Sequence, residues 1–312
     1  MSRLAVYTDT DDLDPTEGIK LLKAAGFEVI KLETHDHKEI AAAAKNAQAL
    51  LVGYATISKE LLDELENLEV VSLLSTGTDN VDTTVLADRN ISLFALGGVA
   101  SEEVASHSIA ITLSMLRGVD KFAAAAQRLE WFKTPYPVVP PRISTLKLGV
   151  LGFGRIGQLI ARYGAPMFGS VIFHDPFVTQ SPDPQFKSVS FDELVKESDV
   201  LSINAPATAE NKHLFNKDLF AAMKPGSYLV NASRGSLVDS NALAAALASG
   251  HLAGAALDVI DGEPAKSDNP LINNPLVTLT PHVAYLSQFT QKAYITVQAQ
   301  NVIDYYKQKA GK

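Results

Sequence analysis

The sequence predicts an α/β fold of two doubly wound, parallel-sheet domains, and three observations predict it. Short apolar runs alternate with helix-like segments through the first hundred residues, the pattern of a parallel sheet. A second alternation of the same kind starts near residue 147. Between them, residues 101–128 hold no proline, a single glycine and the apolar series Val104, Ile109, Ile111, Leu113, Leu116, Val119 and Phe122, which predicts one long helix. A chain of 312 residues is long enough to bury two cores.

Taken in order, residues 4–7 read as a strand followed by an aspartate-rich loop. Pro15 opens a helix that Gly26 closes, which is where proline and glycine favour helix ends. Strands follow at 27–32, 49–52, 70–74 and 91–94. Helices lie between them, one through 41–44 and one over 59–65 that Ser58 is placed to cap. The long helix is longer than a surface helix needs, so it suits a domain junction or a dimer face. Residues 131–142, with Pro135, Pro137, Pro140 and Pro141, read as an extended linker. Further strands are expected at 148–151, 171–173, 200–203, 228–230, 254–257 and 277–280. Asp239 or Ser240 caps a helix ending at Gly250, and 287–309 form a last amphipathic helix.

Composition excludes several function classes. The formal charge of −8 disfavours a nucleic-acid or anionic-membrane surface. The absence of cysteine removes disulfides, thiolate nucleophiles and cysteine-held metal, and suits a reducing, cytoplasmic setting. No run of 18 uncharged apolar residues occurs, and the N-terminus has no targeting core.

The chain is organised around residues 147–175. A strand ends at Leu151, and Gly152, Phe153, Gly154, Arg155, Ile156 and Gly157 lead into a helix. Gly152 permits the tight turn, Gly154 admits a pyrophosphate and Gly157 lets the helix pack on its strand. The helix N-terminus then offers free amides to phosphate. Asp175 ends the next strand 18 positions after Gly157, where a carboxylate meets the ribose hydroxyls of NAD. Gly164 and Pro166 should end or kink that helix near Tyr163.

Arg234, Glu263 and His282 all fall at or just past strand ends in the second half, where open parallel sheets bind ligands. Together they suit hydride transfer at a carbon bearing oxygen. A histidine exchanges the proton, a carboxylate behind it fixes its tautomer, and an arginine fork grips a substrate carboxylate. His35 and His37 share a polar loop without a third ligand, so no metal site is expected. His107 reads as a packing or interface residue, and His174, beside Asp175, is equally a candidate for touching the cofactor and a bland neighbour of it.

Five stretches in order carry a family resemblance: Ser75-Thr-Gly-Thr-Asp-Asn-Val-Asp82, Leu151-Gly-Phe-Gly-Arg-Ile-Gly157, Val230-Asn-Ala-Ser-Arg-Gly235, Leu257-Asp-Val-Ile-Asp-Gly-Glu-Pro264 and Thr280-Pro-His-Val-Ala284. The chain resembles the NAD-dependent D-isomer-specific 2-hydroxyacid dehydrogenases over nearly its whole length. The resemblance implies a Rossmann NAD-binding domain, residues 101–285, inserted into a flavodoxin-like substrate-binding (catalytic) domain made of 1–100 and 286–312. It implies interconversion of a D-2-hydroxy acid and its 2-keto acid, with Arg234, Glu263 and His282 catalytic. NAD contacts are implied at Gly152, Gly154, Arg155, Ile156, Gly157, Asp175, Ala205, Pro206, Ala232, Arg234, Asp258, His282 and Ala284, with Asp258 at the nicotinamide amide. Substrate contacts are implied at Gly53, Tyr54, Thr76, Gly77, Arg234 and Tyr285, and a homodimer through the long helix.

Departures from the family pattern fall at Ser106, at Ala205-Pro-Ala-Thr208 and at Tyr285. They bear on substrate more than on reaction class. The alternative reading is an NAD(H)-sensing scaffold of the C-terminal binding protein type, which keeps the same triad. A formate dehydrogenase is disfavoured, since that group is similar but carries glutamine where Glu263 stands.

Overall fold

The computed structural model describes residues 2–10, 13–131 and 139–311. The expected proline-rich linker lies outside the described residues from 132 to 138. The chain forms two compact units, one of Met1–Val99 with Ser287–Lys312 and one of Ala100–Leu286. The second unit is therefore an insertion in the first.

The first unit holds β1 (Arg3–Tyr7), α1 (Thr16–Ala24), β2 (Phe27–Lys31), α2 (His37–Ala44) and β3 (Ala49–Val52), then α3 (Lys59–Glu64), β4 (Val70–Leu73), α4 (Thr83–Asp88) and β5 (Ser92–Phe94). All strands pair in parallel in the order β2-β1-β3-β4-β5, the flavodoxin-like arrangement. Successive side chains of a strand point to opposite faces. Val6, Leu50, Val52 and Val71 accordingly join Ile40, Ala44, Leu61 and Leu62 in one core cluster. Ala5, Tyr7, Ala49, Leu51 and Val70 join Leu22 and Ala299, Val302, Ile303 and Tyr306 of the C-terminal helix in the other.

That helix, Gln288–Ala310, starts with a capping box between Ser287 and Thr290. The wholly buried Gln298 sits in its middle. Its Nε2 donates to Val52 O at 3.1 Å and Ser72 O at 3.0 Å, and Ser72 Oγ donates back to Gln298 O at 2.9 Å. One side chain thus ties the last helix to two strands of the sheet.

The second unit holds α5 (Ser101–Arg117), α6 (Val119–Gln127), β6 (Lys147–Leu151), α7 (Arg155–Gly164), β7 (Ser170–His174), β8 (Phe186–Ser188) and α8 (Phe191–Glu197). It continues with β9 (Val200–Ile203), α9 (Lys217–Ala222), β10 (Ser227–Asn231), α10 (Ser240–Ala248), β11 (Leu252–Leu257) and β12 (Val277–Leu279). The parallel sheet runs β12-β11-β10-β9-β6-β7-β8. The chain leaves β6 in one direction and returns to its other side at β9, so β6 and β9 form the switch point at which such sheets bind dinucleotides. Leu148, Val150, Val171, Phe173 and Val200 pack with Ile109 and Ile160 on one face. Leu151, Ile172, Leu201, Ile203 and Leu257 pack with Leu194, Phe220 and Leu243 on the other.

Three elements differ from the sequence reading. The single helix over 101–128 is two helices, because Gly118 turns left-handed at φ 63° and closes α5 onto Met115 O and Ser114 O. The short strand β8 and the helix α9, which Asn216 caps on the amides of Asp218 and Leu219, are both unforeseen. The caps at Ser58 and Asp239 form as expected, and α7 ends at Gly164. Among the described residues no helix is long and apolar enough to cross a membrane.

Candidate active site

The turn after β6 shows why each glycine is there. At Gly152, φ is +88°, and an added Cβ would lie 2.6 Å from Asn204 O and 3.0 Å from Ala205 N. The turn is thereby seated against the segment leaving β9, beside Ala205 and Pro206. A Cβ on Gly157 would lie 2.0 Å from Gly152 O, so helix and turn touch backbone to backbone. A Cβ on Gly154 would meet nothing within 4 Å. Gly154 is also the N-cap of α7 and no side chain caps that helix, which leaves the amides of its first turn, Arg155 and Ile156 among them, facing the open side. A turn closed behind and open in front fits a bound pyrophosphate.

Asp175 stands at the end of β7. One carboxylate oxygen accepts from Phe153 N at 2.7 Å, and the other from Phe177 N at 2.8 Å and Val178 N at 3.0 Å. The carboxylate is fixed onto the glycine turn itself. His174 beside it is turned to Val189 O, 3.0 Å from Nδ1, with its ring in a T-shaped contact with Phe191.

His282 Nδ1 lies 2.6 Å from Glu263 Oε2, with both side chains partly exposed. The other oxygen of Glu263 accepts from Ile260 N at 2.8 Å, so both oxygens are engaged. His282 itself has φ 54°, a left-handed conformation held by its N–H, which donates to Asp258 O at 2.8 Å and Thr280 O at 3.1 Å. Below it Asp258 is 1% exposed. Its carboxylate accepts from Thr280 Oγ1 at 2.5 Å, Val283 N at 3.0 Å and Ala284 N at 2.8 Å. His107 of α5 reaches the same group, 3.5 Å from Asp258 Oδ1 and 3.0 Å from Thr280 Oγ1. Burial raises the Asp258 pKa, yet the hydrogen bonds from His107, Thr280 and the two amides outweigh it and hold the carboxyl below its usual range.

Arg234 follows a turn built by the buried Asn231, whose side chain accepts from Ser233 N at 3.0 Å and donates to Arg234 O at 2.9 Å. Ala232 lies within that turn, and Arg234 Nη1 donates to Ser233 O at 2.8 Å. A Cβ on Gly235 would lie 1.9 Å from Ile260 O and 2.6 Å from Asp261 N. The turns carrying Arg234 and Glu263 are therefore in backbone contact.

Gly53, Tyr54, Thr76 and Gly77 belong to the first unit. The wholly buried Asp9 accepts from the amides of Gly53 at 3.2 Å and Ala55 at 3.3 Å, and also from Tyr54 N. Asn80 Nδ2 donates to Gly53 O at 3.2 Å and Ala55 O at 3.0 Å. Thr76 Oγ1 donates to Gly97 O at 2.8 Å, and Ser75 Oγ donates to Gly77 O at 2.6 Å. Tyr285 is half-buried in the second unit, directly after Ala284.

Sequence reasoning missed Asp9, Asn80 and the engagement of His107 with Asp258. No spacing rule reaches partners 25 to 151 positions away, although a histidine inside an apolar helix is itself a signal. Among the described residues no group of three or more His, Cys, Asp or Glu is placed to hold a metal ion.

Residues 109–284 match the family model for the NAD binding domain of the D-isomer specific 2-hydroxyacid dehydrogenases. The glyoxylate/hydroxypyruvate reductase B of Salmonella schwarzengrund is 34% identical over 270 residues, 85% of this chain and 83% of that protein. The D-3-phosphoglycerate dehydrogenase of Bacillus subtilis is 34% identical over 255 residues, 81% of this chain, and the matched stretch spans 47% of that longer protein. Among solved structures, the NAD-dependent formate dehydrogenase from Staphylococcus aureus in complex with NAD superposes with a TM-score of 0.88 at 30% identity, covering 98% of this chain and 96% of that one. With its glycine turn at the switch point of a parallel sheet and relatives along most of its length, the chain belongs to the D-isomer specific 2-hydroxyacid dehydrogenase family of NAD-dependent oxidoreductases.

Proposed function

We propose that the protein interconverts a D-2-hydroxy acid and its 2-keto acid, with His282 as acid/base, Glu263 as its partner and Arg234 as the carboxylate clamp. The observation that carries this reading is the 2.6 Å contact between His282 Nδ1 and Glu263 Oε2. A carboxylate on Nδ1 holds the ring proton there and turns Nε2 to the substrate oxygen. In reduction, Nε2 gives its proton to the carbonyl oxygen; in oxidation it takes the hydroxyl proton. The guanidinium of Arg234 matches a carboxylate with two parallel hydrogen bonds, and its charge polarises the neighbouring carbonyl. The bound dinucleotide supplies or accepts the hydride. The amides at the start of α7 would hold its pyrophosphate and Asp175 its ribose, with Ala205, Pro206, Ala232, Asp258 and Ala284 toward the nicotinamide.

Gly53, Tyr54, Thr76, Gly77 and Tyr285 are proposed as substrate contacts. Residues 53–56 and 76–78 contain no lysine or arginine, so a phosphate on the substrate would lack a cation there. Small unphosphorylated 2-keto acids are the proposed substrates, and glyoxylate and hydroxypyruvate, named for the Salmonella relative, are the first to try. Because Asp175 repels a 2′-phosphate, NADH should be preferred over NADPH by at least about tenfold, or about 1.4 kcal/mol.

A panel of keto acids with NADH, followed by absorbance, tests the reading. Turnover of at least one unphosphorylated keto acid is expected. NADH binding by fluorescence without turnover across the panel would overturn it in favour of the NAD(H)-sensing alternative. Efficient reduction of 3-phosphohydroxypyruvate would overturn the substrate class alone.

A further inference from the structure

We propose that His213 and Asp261 form a brace that sets Glu263 against the turn carrying Arg234, which makes His213 a positioning residue. The inference rests on the reading of Glu263 and Arg234 given above. His213 Nε2 lies 2.7 Å from Asp261 Oδ2, a link across 48 residues of sequence. Its two ends belong to different loops, and each loop bears one member of the proposed machinery.

The backbone end comes first. His213 sits between β9 and α9 with φ 52°, a conformation that side chains other than glycine's adopt at a cost. What holds it there is a short ladder. His213 N donates to Ser236 O at 2.8 Å, Phe215 N to Leu237 O at 2.9 Å and Asp239 N to Phe215 O at 3.1 Å. Residues 213–215 are therefore laced to the turn Gly235–Leu237 that directly follows Arg234.

The side-chain end reaches the other loop. Asp261 lies two positions before Glu263, and the loop between is a tight turn with Gly262 at φ 81°. Glu263 closes that turn on the amide of Ile260. Gly235 fits against Ile260 O and Asp261 N so closely that no Cβ could be added there. The two turns touch, but a contact through glycine resists compression and not separation. The His213–Asp261 hydrogen bond supplies the resistance to separation.

A partly exposed polar pair of this kind contributes little to global stability. The consequence of losing this one is displacement of Glu263, and with it of the ring of His282. Small displacements at reacting groups are costly in rate.

The test compares His213→Ala, Asp261→Ala, the double variant and His213→Gln, which keeps an N–H donor near Nε2. Three quantities are read: kcat and KM for the best keto acid, NADH affinity by fluorescence, and amide exchange in the peptide containing Ile260. Each alanine variant should lose about tenfold in kcat with little change in KM or NADH affinity. The double variant should be no worse than either single, because both remove one link. Exchange at Ile260 should quicken in step, and His213→Gln should restore both readouts. Losses that multiply in the double variant would overturn the brace, as would faster exchange with intact kcat, or a glutamine variant no better than alanine. A wild type without turnover, in which Ile260 exchange still answers to both residues, would overturn the dehydrogenase reading and leave the brace standing.

Discussion

The two units use one device for different ends. In each, an aspartate just past a strand end is sealed from solvent and catches the amides of a loop leaving another strand. Asp9, beyond β1, takes the amides of Gly53, Tyr54 and Ala55 beyond β3. Asp258, beyond β11, takes Val283 and Ala284 beyond β12. A histidine approaches each carboxylate, but His35 beside Asp9 is 54% exposed and His107 beside Asp258 is 23% exposed. The loop under Asp9 carries Gly53 and Tyr54, proposed above as substrate contacts, but no acid/base group. The loop under Asp258 begins at His282. In both cases a buried carboxylate continues the link between two paired strands past their ends, and what it orders depends on the residue next to its grip.

Asp258→Asn should break the comparison most strongly. One oxygen and the charge are lost while Thr280, Val283 and Ala284 still present donors, so about 3 kcal/mol of stability should go, read as a lower Tm. Loosening of His282 should lower kcat by about a hundredfold. Asp9→Asn is the matching change in the first unit. It should speed amide exchange at Gly53 and Ala55, leave exchange at Val283 and Ala284 alone, and raise KM, through Gly53 and Tyr54, more than it lowers kcat. Equal kcat losses from the two substitutions would show that the loops are not distinct in role.

Gln298→Leu asks whether an anchor remote from either loop matters. Val52 O and Ser72 O would face an apolar side chain, at a cost of about 1–2 kcal/mol in denaturant titration, with turnover per folded molecule unchanged. The smallest effect is one of pH. The folded pKa of Asp258 lies below its ordinary value, so its stabilisation is full above about pH 4 and is lost as pH falls through the folded pKa. Between about pH 5 and pH 3 the wild type should therefore lose more stability than Asp258→Asn, in urea midpoints measured at each pH. Parallel losses would remove Asp258 as the source.

What was legible in the sequence were features whose causes are local. Strand alternation, the glycine turn, the caps at Ser58 and Asp239 and the stop at Gly164 each depend on neighbours within a few positions. His282, Glu263 and Arg234 could be singled out as candidates because each follows a strand end and bears the chemistry such a position can use. Gly118 was misjudged, since one glycine is compatible with a continuous helix until packing selects the left-handed conformation. Asp9, Gln298 and the pairing of His213 with Asp261 were invisible for another reason. Their partners lie 44 to 246 positions away, and an aspartate or glutamine destined for burial looks like any surface residue.

The bond from Gln298 to Val52 and Ser72 also sets a timetable for synthesis. The five strands of the first sheet have left the ribosome long before the helix that covers one of their faces exists. From Phe94 to Gln288 is 194 positions of chain, which at typical translation rates is roughly ten to forty seconds. Throughout that interval Ala5, Tyr7, Leu51 and Val70 lack the residues of the last helix that cover them in the finished molecule. The nascent chain presents a half-made core while an entire second unit is being spelled out. Chaperones that shield apolar sheet faces should therefore engage this protein during elongation and release it only once the last helix has emerged.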